Sequence, residues 1–358
     1  MNTPNVHTTR PTSFGLIFPP DEPWLARQAR EEILLPDLPI IDAHHHLWDR
    51  PGYRYLSEEF AADTGSGHNV IGTVHAECHT AYRTDGPPEL APVGETEYIA
   101  ALAAASDAAG GPTRLAAGIV GAADLSLGAA VDDVIGQHIA AGQGRFRGIR
   151  YDTIWYDHEA VEFTHPGHRP QMLAEPAVRA GARVLADHDL PLDVQLLFPQ
   201  LADAAELADG LPELRLVLNH CGAPLGFGPW ADNRAEHFAH WQRGIRELAE
   251  RPNVVCKLGG ILASGLGYDY LHAPVPATST ELAALWRPWF DTCIDAFGPQ
   301  RCMFESNFPM DKMGTGYATL WNTYKRLASG GSDTELTSLF AETARRTYRL
   351  DLPAAPLA

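Results

Sequence analysis

Short apolar runs alternate with amphipathic segments along most of the chain. Eight runs have the length of a buried strand, and they lie at 38–46, 70–78, 114–121, 146–152, 190–197, 214–220, 253–259 and 301–308. Seven of them are followed by a helical pattern of apolar positions, as in 232–250 and 281–297. After the first run, the pattern predicts only a short helix near 56–62.

Eight strand–helix units predict a parallel sheet closed into a (β/α)₈ TIM barrel, an α/β fold of one domain. We expect residues 37–350 to form the barrel, the Pro-rich residues 1–36 to form an N-terminal extension strapped across it, and residues 351–358 to form a C-terminal tail. A doubly wound open sheet is the alternative. No G-x-G-x-x-G follows a predicted strand, so the usual dinucleotide signature of that fold is missing.

The loop lengths place the predicted function at one end of the barrel. Helix-to-strand connections are short, whereas the loops after the first, fourth and seventh runs have roughly twenty residues each. Long loops tend to carry function, and barrel enzymes keep their sites at the C-terminal face. We expect Trp48, in the first long loop, and Tyr151, at the end of the fourth run, to contact the substrate. The Gly- and Pro-punctuated loop 259–280 is predicted to be a lid.

Composition excludes several classes of partner. The net charge is −18 and no Lys/Arg cluster occurs outside the short segment 145–150, which disfavours nucleic acid. No transmembrane segment or signal peptide is predicted. The five cysteines are odd in number and form no CxxC, so neither a disulfide framework nor a thiolate zinc site is expected. These features predict a soluble cytoplasmic protein.

Histidines stand at the ends of two predicted strands. Side chains alternate along a strand, so Asp42, His44 and His46 share one face and His45 points the other way. Paired imidazoles suit a divalent metal, and Asp42 is expected to orient one ring as an acceptor. His220 ends the sixth run and adds a third imidazole. A hydrogen-bonded, His-rich strand end without metal is the alternative interpretation.

Carboxylates and an amide end the eighth run. Glu305 and Asn307 share a face, and Asp311 follows in the loop. Carboxylates beside histidines serve as general bases or metal ligands, so we count Glu305, Asn307, Asp311 and His220 as candidate catalytic residues. In the alternative interpretation, Asn307 caps a turn and Asp311 begins a helix.

Other charged groups stand near the ends of the second, fourth and seventh runs. His75 and Glu77 share a face, so Glu77 is a candidate fourth metal ligand and His75 a candidate substrate contact. Arg150 and Lys257 are candidate anchors for a substrate carboxylate. Salt bridges to Glu77 or Glu305 would explain these two cations equally well.

The segments IIDAHHHLWD, RGIRYD, LVLNHCG, NVVCKLGG and RCMFESNFPMD occur in this order. Together they resemble the amidohydrolase superfamily, in its amidohydrolase-2 type of predicted metal-dependent TIM-barrel hydrolases, and in particular its lactonase-like branch. The resemblance covers residues 38 to 350. It implies a barrel that hydrolyses a C–O or C–N bond and makes His44, His46 and His220 the metal-binding histidines.

The chain departs from this family's pattern at three points. The family's eighth-strand acid, which activates the attacking water, corresponds to Asn307, and a neutral amide does not accept a proton. The fifth run reads Asp193-Val194-Gln195 and lacks the histidine of binuclear members. Arg150 stands in the region of the carbamylated lysine. A binuclear site is therefore not expected.

Two arrangements would restore the chemistry. In one, Asp311, Glu305 or Glu77 replaces the missing acid beside a single Zn²⁺ or Mn²⁺. In the other, the site uses no metal, a histidine is the base, and Arg or Lys polarises the carbonyl.

The predicted activity is hydrolysis of a lactone, or a related ester or amide, of a small organic acid. The expected partner is a small anionic or aromatic organic-acid derivative, and the sequence leaves both a monomer and a homo-oligomer open. A lyase of the aromatic-acid decarboxylase type is the first alternative, because Asn307 replaces the water-activating acid. A degenerate barrel that binds a ligand without turnover is the second.

Overall fold

Eight parallel strands form the centre of the protein. The computed structural model describes residues 15–231, 233–262 and 273–352. The barrel strands are β1 Ile40–His45, β2 Val70–Ala76, β3 Arg114–Ala122, β4 Phe146–Asp152, β5 Leu192–Gln195, β6 Leu216–Leu218, β7 Val254–Leu258 and β8 Cys302–Phe304. Each pairs with its neighbour in chain order. This confirms the predicted (β/α)₈ barrel, and every strand lies at a predicted run.

The barrel closes between β8 and β1 through the backbone that follows β8. An isolated parallel bridge joins His45 to Phe308. The Asn307 N–H donates to the His44 carbonyl at 2.9 Å, and the His46 N–H donates to the Phe308 carbonyl at 2.7 Å. The segment that closes the barrel is therefore also the segment that carries the candidate site.

Helices surround the strands. They are α1 Glu22–Leu25, α2 Ser57–Thr64, α3 Val93–Ala109, α4 Val131–Ala141, α5 Glu159–Thr164, α6 Pro176–Asp187, α7 Leu201–Gly210, α8 Arg234–Ala249, α9 Ser279–Phe297, α10 Tyr317–Leu327, α11 Asp333–Thr337 and α12 Thr343–Thr347. The predicted helices correspond to α2, α8 and α9. A hairpin of Trp48–Arg50 and Tyr53–Tyr55 follows β1. Among the described helices, none combines the length and the hydropathy that a membrane crossing requires.

Two buried apolar clusters hold these layers together. The inner cluster fills the barrel with mostly small or branched side chains, such as Val74, Val120 and Val217. The outer cluster joins strands to helices and contains large rings such as Trp241 and Trp286, both essentially inaccessible to solvent. Burial of such side chains contributes roughly 2 kcal/mol each, which makes the barrel a rigid frame for the residues at its C-terminal end.

The described part of the N-terminal extension runs along the outside of the barrel. The Trp24 indole N–H donates to the Ala273 carbonyl at 2.8 Å, just before α9. Further along, the Lys325 ammonium of α10 donates to the Leu34 carbonyl at 2.7 Å. These contacts bring the chain from the C-terminal face, past α9 and α10, to the start of β1.

Candidate active site

Two histidines face each other at the C-terminal end of the barrel, one in β1 and one directly after it. His44 and His46 are buried, and their Nε2 atoms are 3.2 Å apart. His45 points away and stacks on Phe60 of α2 with ring centroids 4.1 Å apart. The alternation predicted from the sequence therefore separates His45 from the other two rings.

The Nδ1 atoms of three histidines each lie beside an acceptor. His46 Nδ1 is 2.8 Å from the Ala76 carbonyl. Glu305 is fully buried, and its Oε1 is 2.7 Å from His220 Nδ1 while its Oε2 is 3.1 Å from His44 Nδ1. The Oε1 contact is a hydrogen bond, whereas the Oε2 contact lacks hydrogen-bond geometry. One carboxylate thus hydrogen-bonds His220 and lies beside His44. With the ring proton on Nδ1, each Nε2 offers a lone pair.

Lys257 and Glu305 both lie beside the Nδ1 atom of His44. Its ammonium lies 3.2 Å from His44 Nδ1 and 2.7 Å from Asp193 Oδ2, and both charged side chains are inaccessible to solvent. Tyr348 and Asn219 also donate to Asp193, at 2.9 and 3.0 Å. If Lys257 donated to Nδ1, the His44 proton would sit on Nε2 and would bond His46. The tautomer of His44 thus decides whether its Nε2 can bind a ligand.

The surroundings keep the rings of His44 and His46 neutral. Burial, followed by the charges of Lys257 and other cations, lowers the pKa of His44 well below its usual range. Burial and the nearby Arg150 do the same to the pKa of His46. Neutral imidazole is the form that binds metal or accepts a proton.

A pair of glycines after β7 makes room for the contact between Glu305 and His220. A Cβ on Gly260 would lie 2.2 Å from His220 Nδ1, and one on Gly259 would lie 2.5 Å from Glu305 Cγ. Gly260 also has a φ of +64°, which favours glycine. Sequence reasoning missed these two positions, although the GG after an apolar strand was a visible signal of close backbone approach.

Arg150 pairs with Glu77 at the edge of the site. The Arg150 Nε donates to Glu77 Oε1 at 2.8 Å, and one terminal nitrogen contacts the same oxygen at 2.7 Å. Burial opposes ionisation, but the guanidinium lowers the pKa of Glu77 below its usual value. The other terminal nitrogen of Arg150 has no hydrogen-bond partner among the described residues. It is therefore available to a ligand.

Asn307 and Asp311 form a buried pair beside the seam of the barrel, which is the closure between β8 and β1. The Asn307 amide donates to Asp311 Oδ1 at 3.1 Å, and both side chains are at most 2% exposed. Asp311 begins a short 3₁₀ turn, Asp311–Met313. The structure thus brings a carboxylate next to the amide that occupies the expected acid position.

Asp42 has a different role from the one expected. Its carboxylate accepts from the Ser306 N–H at 2.8 Å, the Tyr317 hydroxyl at 3.0 Å and the His44 backbone N–H at 3.3 Å. It bonds no imidazole ring among the described residues, so the expectation that it orients one is wrong. A register shift between Asp42 and His45 turns it toward the seam. Burial raises its pKa to about 6.

His75 and Tyr151 also depart from expectation. His75 faces α3, where its Nε2 lies 3.1 Å from Glu95 Oε1, because the neighbouring Val74 faces the barrel interior. Tyr151 belongs to the outer apolar cluster. The His75 ring lies edge-to-face with that of His46, with centroids 6.5 Å apart, so it packs against a candidate ligand.

Two further features of the prediction concern the loops. Trp48 is 1% exposed and packs against the His46 ring with centroids 6.0 Å apart, so it supports a candidate ligand from behind. The predicted lid, 259–280, includes residues 263–272, which lie outside the described part of the chain.

Sequence reasoning did not select Asp193 as a site residue. Its signal was visible, because it is a charged residue within an apolar strand.

Comparisons with known proteins agree with this architecture. The family model described as amidohydrolase matches residues 41–350. The chain therefore belongs to the amidohydrolase family of hydrolases. A protein of Sinorhizobium fredii named y4mH, described as uncharacterised, is 32% identical over 337 residues, covering 88% of this chain and 99% of its own length.

Two further relatives carry functional descriptions. An L-fucono-1,5-lactonase of Burkholderia multivorans is 28% identical over 331 residues, covering 88% of this chain and 97% of its own length. A crystal structure of an amidohydrolase from Burkholderia multivorans with bound zinc superposes with a TM-score of 0.64 at 24% identity. It covers 88% of this chain and 99% of the other. At that identity, the superposition establishes the fold only.

Proposed function

We propose that the protein hydrolyses the lactone of a small organic acid, with one divalent cation held by the imidazoles of His44, His46 and His220. The observation that carries this proposal is the Glu305 carboxylate, which hydrogen-bonds His220 Nδ1 at 2.7 Å and lies 3.1 Å from His44 Nδ1. Metal-binding histidines characteristically donate their other N–H to such an acceptor.

The spacing of the two β1 histidines fits the cation. Two nitrogen ligands in a tetrahedral zinc site, each at about 2.0–2.1 Å, are roughly 3.3–3.4 Å apart. The Nε2 atoms of His44 and His46 are 3.2 Å apart. A bound divalent cation would supply a water of lowered pKa and would polarise the substrate carbonyl.

The remaining chemistry belongs to the chain's own side chains. The unpartnered terminal nitrogen of Arg150 would donate to the lactone carbonyl oxygen and hold the negative charge that develops there. Asp311, fixed by the Asn307 amide, would accept a proton from the attacking water and return it to the leaving alkoxide. Lys257, paired with Asp193, would position His44 rather than bind substrate.

The relatives support a lactone rather than an amide as substrate. Relatives from two Burkholderia species are described as L-fucono-1,5-lactonases, and each alignment covers 88% of this chain. We therefore place a sugar-acid 1,5-lactone first among the substrates to test.

The test combines metal content with turnover. We expect about one zinc per chain by plasma mass spectrometry and hydrolysis of L-fucono-1,5-lactone in a pH-indicator assay. Glu305→Gln should weaken zinc binding by about 10–100-fold, and His44→Ala should abolish it. His79→Ala, whose side chain is 75% exposed, is the matched control and should behave as wild type. Unchanged zinc affinity in both site variants would refute the proposed metal site.

Asn307 favours one second candidate, a decarboxylase, because that reaction needs no water-activating acid. The two reactions differ in the oxygen that they incorporate. In ¹⁸O-labelled water, lactone hydrolysis places one labelled oxygen in the product. Release of CO₂ from an aromatic acid, with no labelled oxygen in the aromatic product, would favour the lyase.

A further inference from the structure

The first described residues touch the protein at two distant points of the same face. Gly15 lies against α5, and a Cβ added to it would be 3.0 Å from Thr164 Cβ. Seven residues later, Glu22 lies 4.0 Å from Lys312 in the loop after β8. Both contacted elements follow strands, β4 and β8, so both belong to the C-terminal end of the barrel.

The two points lie on opposite sides of the barrel mouth. The strands follow one another in chain order around the ring, so β4 and β8 are four positions apart. Seven residues span at most about 25 Å when fully extended. The direct path of a chain of that length between the two sides runs over the mouth.

The segment between these points is built to be stiff. It contains Pro19 and Pro20 in an irregular, extended stretch ahead of α1. Consecutive prolines favour the extended polyproline conformation, which acts as a semi-rigid spacer. Its far end is fixed by buried Trp24, whose indole bonds Ala273.

We propose that residues 15–23 roof the active site and set the size limit of its substrate, admitting a single lactone ring and obstructing fused-ring lactones. This inference rests on the proposed function. The site lies deep, with His44 inaccessible and His220 8% exposed. A segment that is anchored at Trp24 and rests against α5 at Gly15 restricts the width, and not the chemistry, of the substrate that enters.

The test uses two variants of the protein, one that restrains residues 15–23 and one that makes them more flexible. The pair Gly15→Cys/Thr164→Cys, oxidised to a disulfide, makes the contact between Gly15 and α5 covalent, and Pro19→Gly/Pro20→Gly makes the segment between Gly15 and Glu22 more flexible. The five native cysteines are buried and leave the new pair as the accessible thiols. Each single cysteine variant is the matched control for the cross-link.

The readout is the ratio of kcat/KM for dihydrocoumarin, a fused-ring lactone, to that for δ-valerolactone, a single ring. We expect the ratio to fall by about tenfold on cross-linking and to rise by about tenfold in the glycine variant. Zinc content should not change. An unchanged ratio in Pro19→Gly/Pro20→Gly, or in a cross-linked protein, overturns the proposal.

A second readout needs neither substrate nor metal. Diethyl pyrocarbonate should modify His220 of the metal-stripped protein faster in the glycine variant and more slowly in the cross-linked one, as followed by peptide mass spectrometry. If no lactone is hydrolysed but labelling follows this order, the proposed function fails and the roof stands. Equal labelling rates in all forms refute the roof.

Discussion

Replacing Lys257 by methionine should destabilise the whole protein, and this distinguishes a structural cation from a substrate anchor. Lys257 and Asp193 form an ion pair of 2.7 Å in which both side chains are inaccessible to solvent. Methionine keeps most of the apolar stem but removes the charge, which leaves Asp193 buried without its counter-ion.

The magnitude follows from burial. Breaking a buried ion pair by removing one partner costs about 3–5 kcal/mol of unfolding free energy. Asp193 keeps the Tyr348 hydroxyl at 2.9 Å and the Asn219 amide at 3.0 Å. These donors favour the lower end, so we expect Lys257→Met to cost about 3 kcal/mol.

Urea unfolding followed by tryptophan fluorescence measures this cost without knowledge of the substrate. Asp193→Asn alone should also destabilise, and the double variant should lose about 2 kcal/mol less than the sum of the singles. Lys312→Met is the control, because Lys312 and Asp63 form a partly exposed pair that should be worth less than about 1 kcal/mol. If Lys257→Met unfolded within about 1 kcal/mol of wild type and only raised KM, our assignment would be wrong and Lys257 would be the substrate anchor.

Three further predictions concern the site and the frame. Gly260→Ala should abolish zinc binding, measured by mass spectrometry, because its Cβ would lie 2.2 Å from His220 Nδ1. Gly330→Ala, also at positive φ but with no neighbour within 4 Å, should bind zinc normally. Arg150→Lys should lower kcat about 100-fold at unchanged zinc content, since lysine lacks the second terminal nitrogen; an unchanged kcat would exclude the oxyanion role. Burial lowers the pKa of His138 to about 4 from 6.5, so the unfolded chain binds its proton first and stability falls by up to about 3 kcal/mol as pH drops from 6.5 to 4. His138→Gln should show a smaller loss of urea midpoint between pH 7 and 4.5, and equal losses would refute this pKa.

The sequence predicted the local elements well, because each strand could be read from its own residues. The eight runs and the spacing of His44 and His46 depend only on periodicity within a few residues. The same rule failed at His75, which faces α3 while the neighbouring Val74 faces the barrel interior. Which face of a strand turns inward depends on its register with its neighbours, and the β2–β3 register shifts between Gly72 and Val74.

The periodicity of the sequence could not predict which charged side chains would pair. Lys257 and Asp193 are 64 residues apart in sequence, and Arg150 and Glu77 are 73 apart. Only the closed barrel brings them together, so the sequence left the salt-bridge and substrate-anchor interpretations equal. Gly260 was overlooked for a related reason, since its importance comes from a ring on the neighbouring strand.

The closure of the barrel has a consequence for how such a site can change during evolution. Between β8 and β1, several of the bonds that hold the cylinder shut join main-chain groups, including the Asn307 N–H and the Phe308 carbonyl, and the Asp42 carboxylate adds a bond to the Ser306 N–H. A hydrogen bond between main-chain groups can persist when the side chain of either residue is replaced. Acidic groups can therefore be gained or lost at 305, 307 and 311 while the cylinder stays intact, and new catalytic repertoires can arise on an inherited scaffold without an unfolded intermediate ancestor.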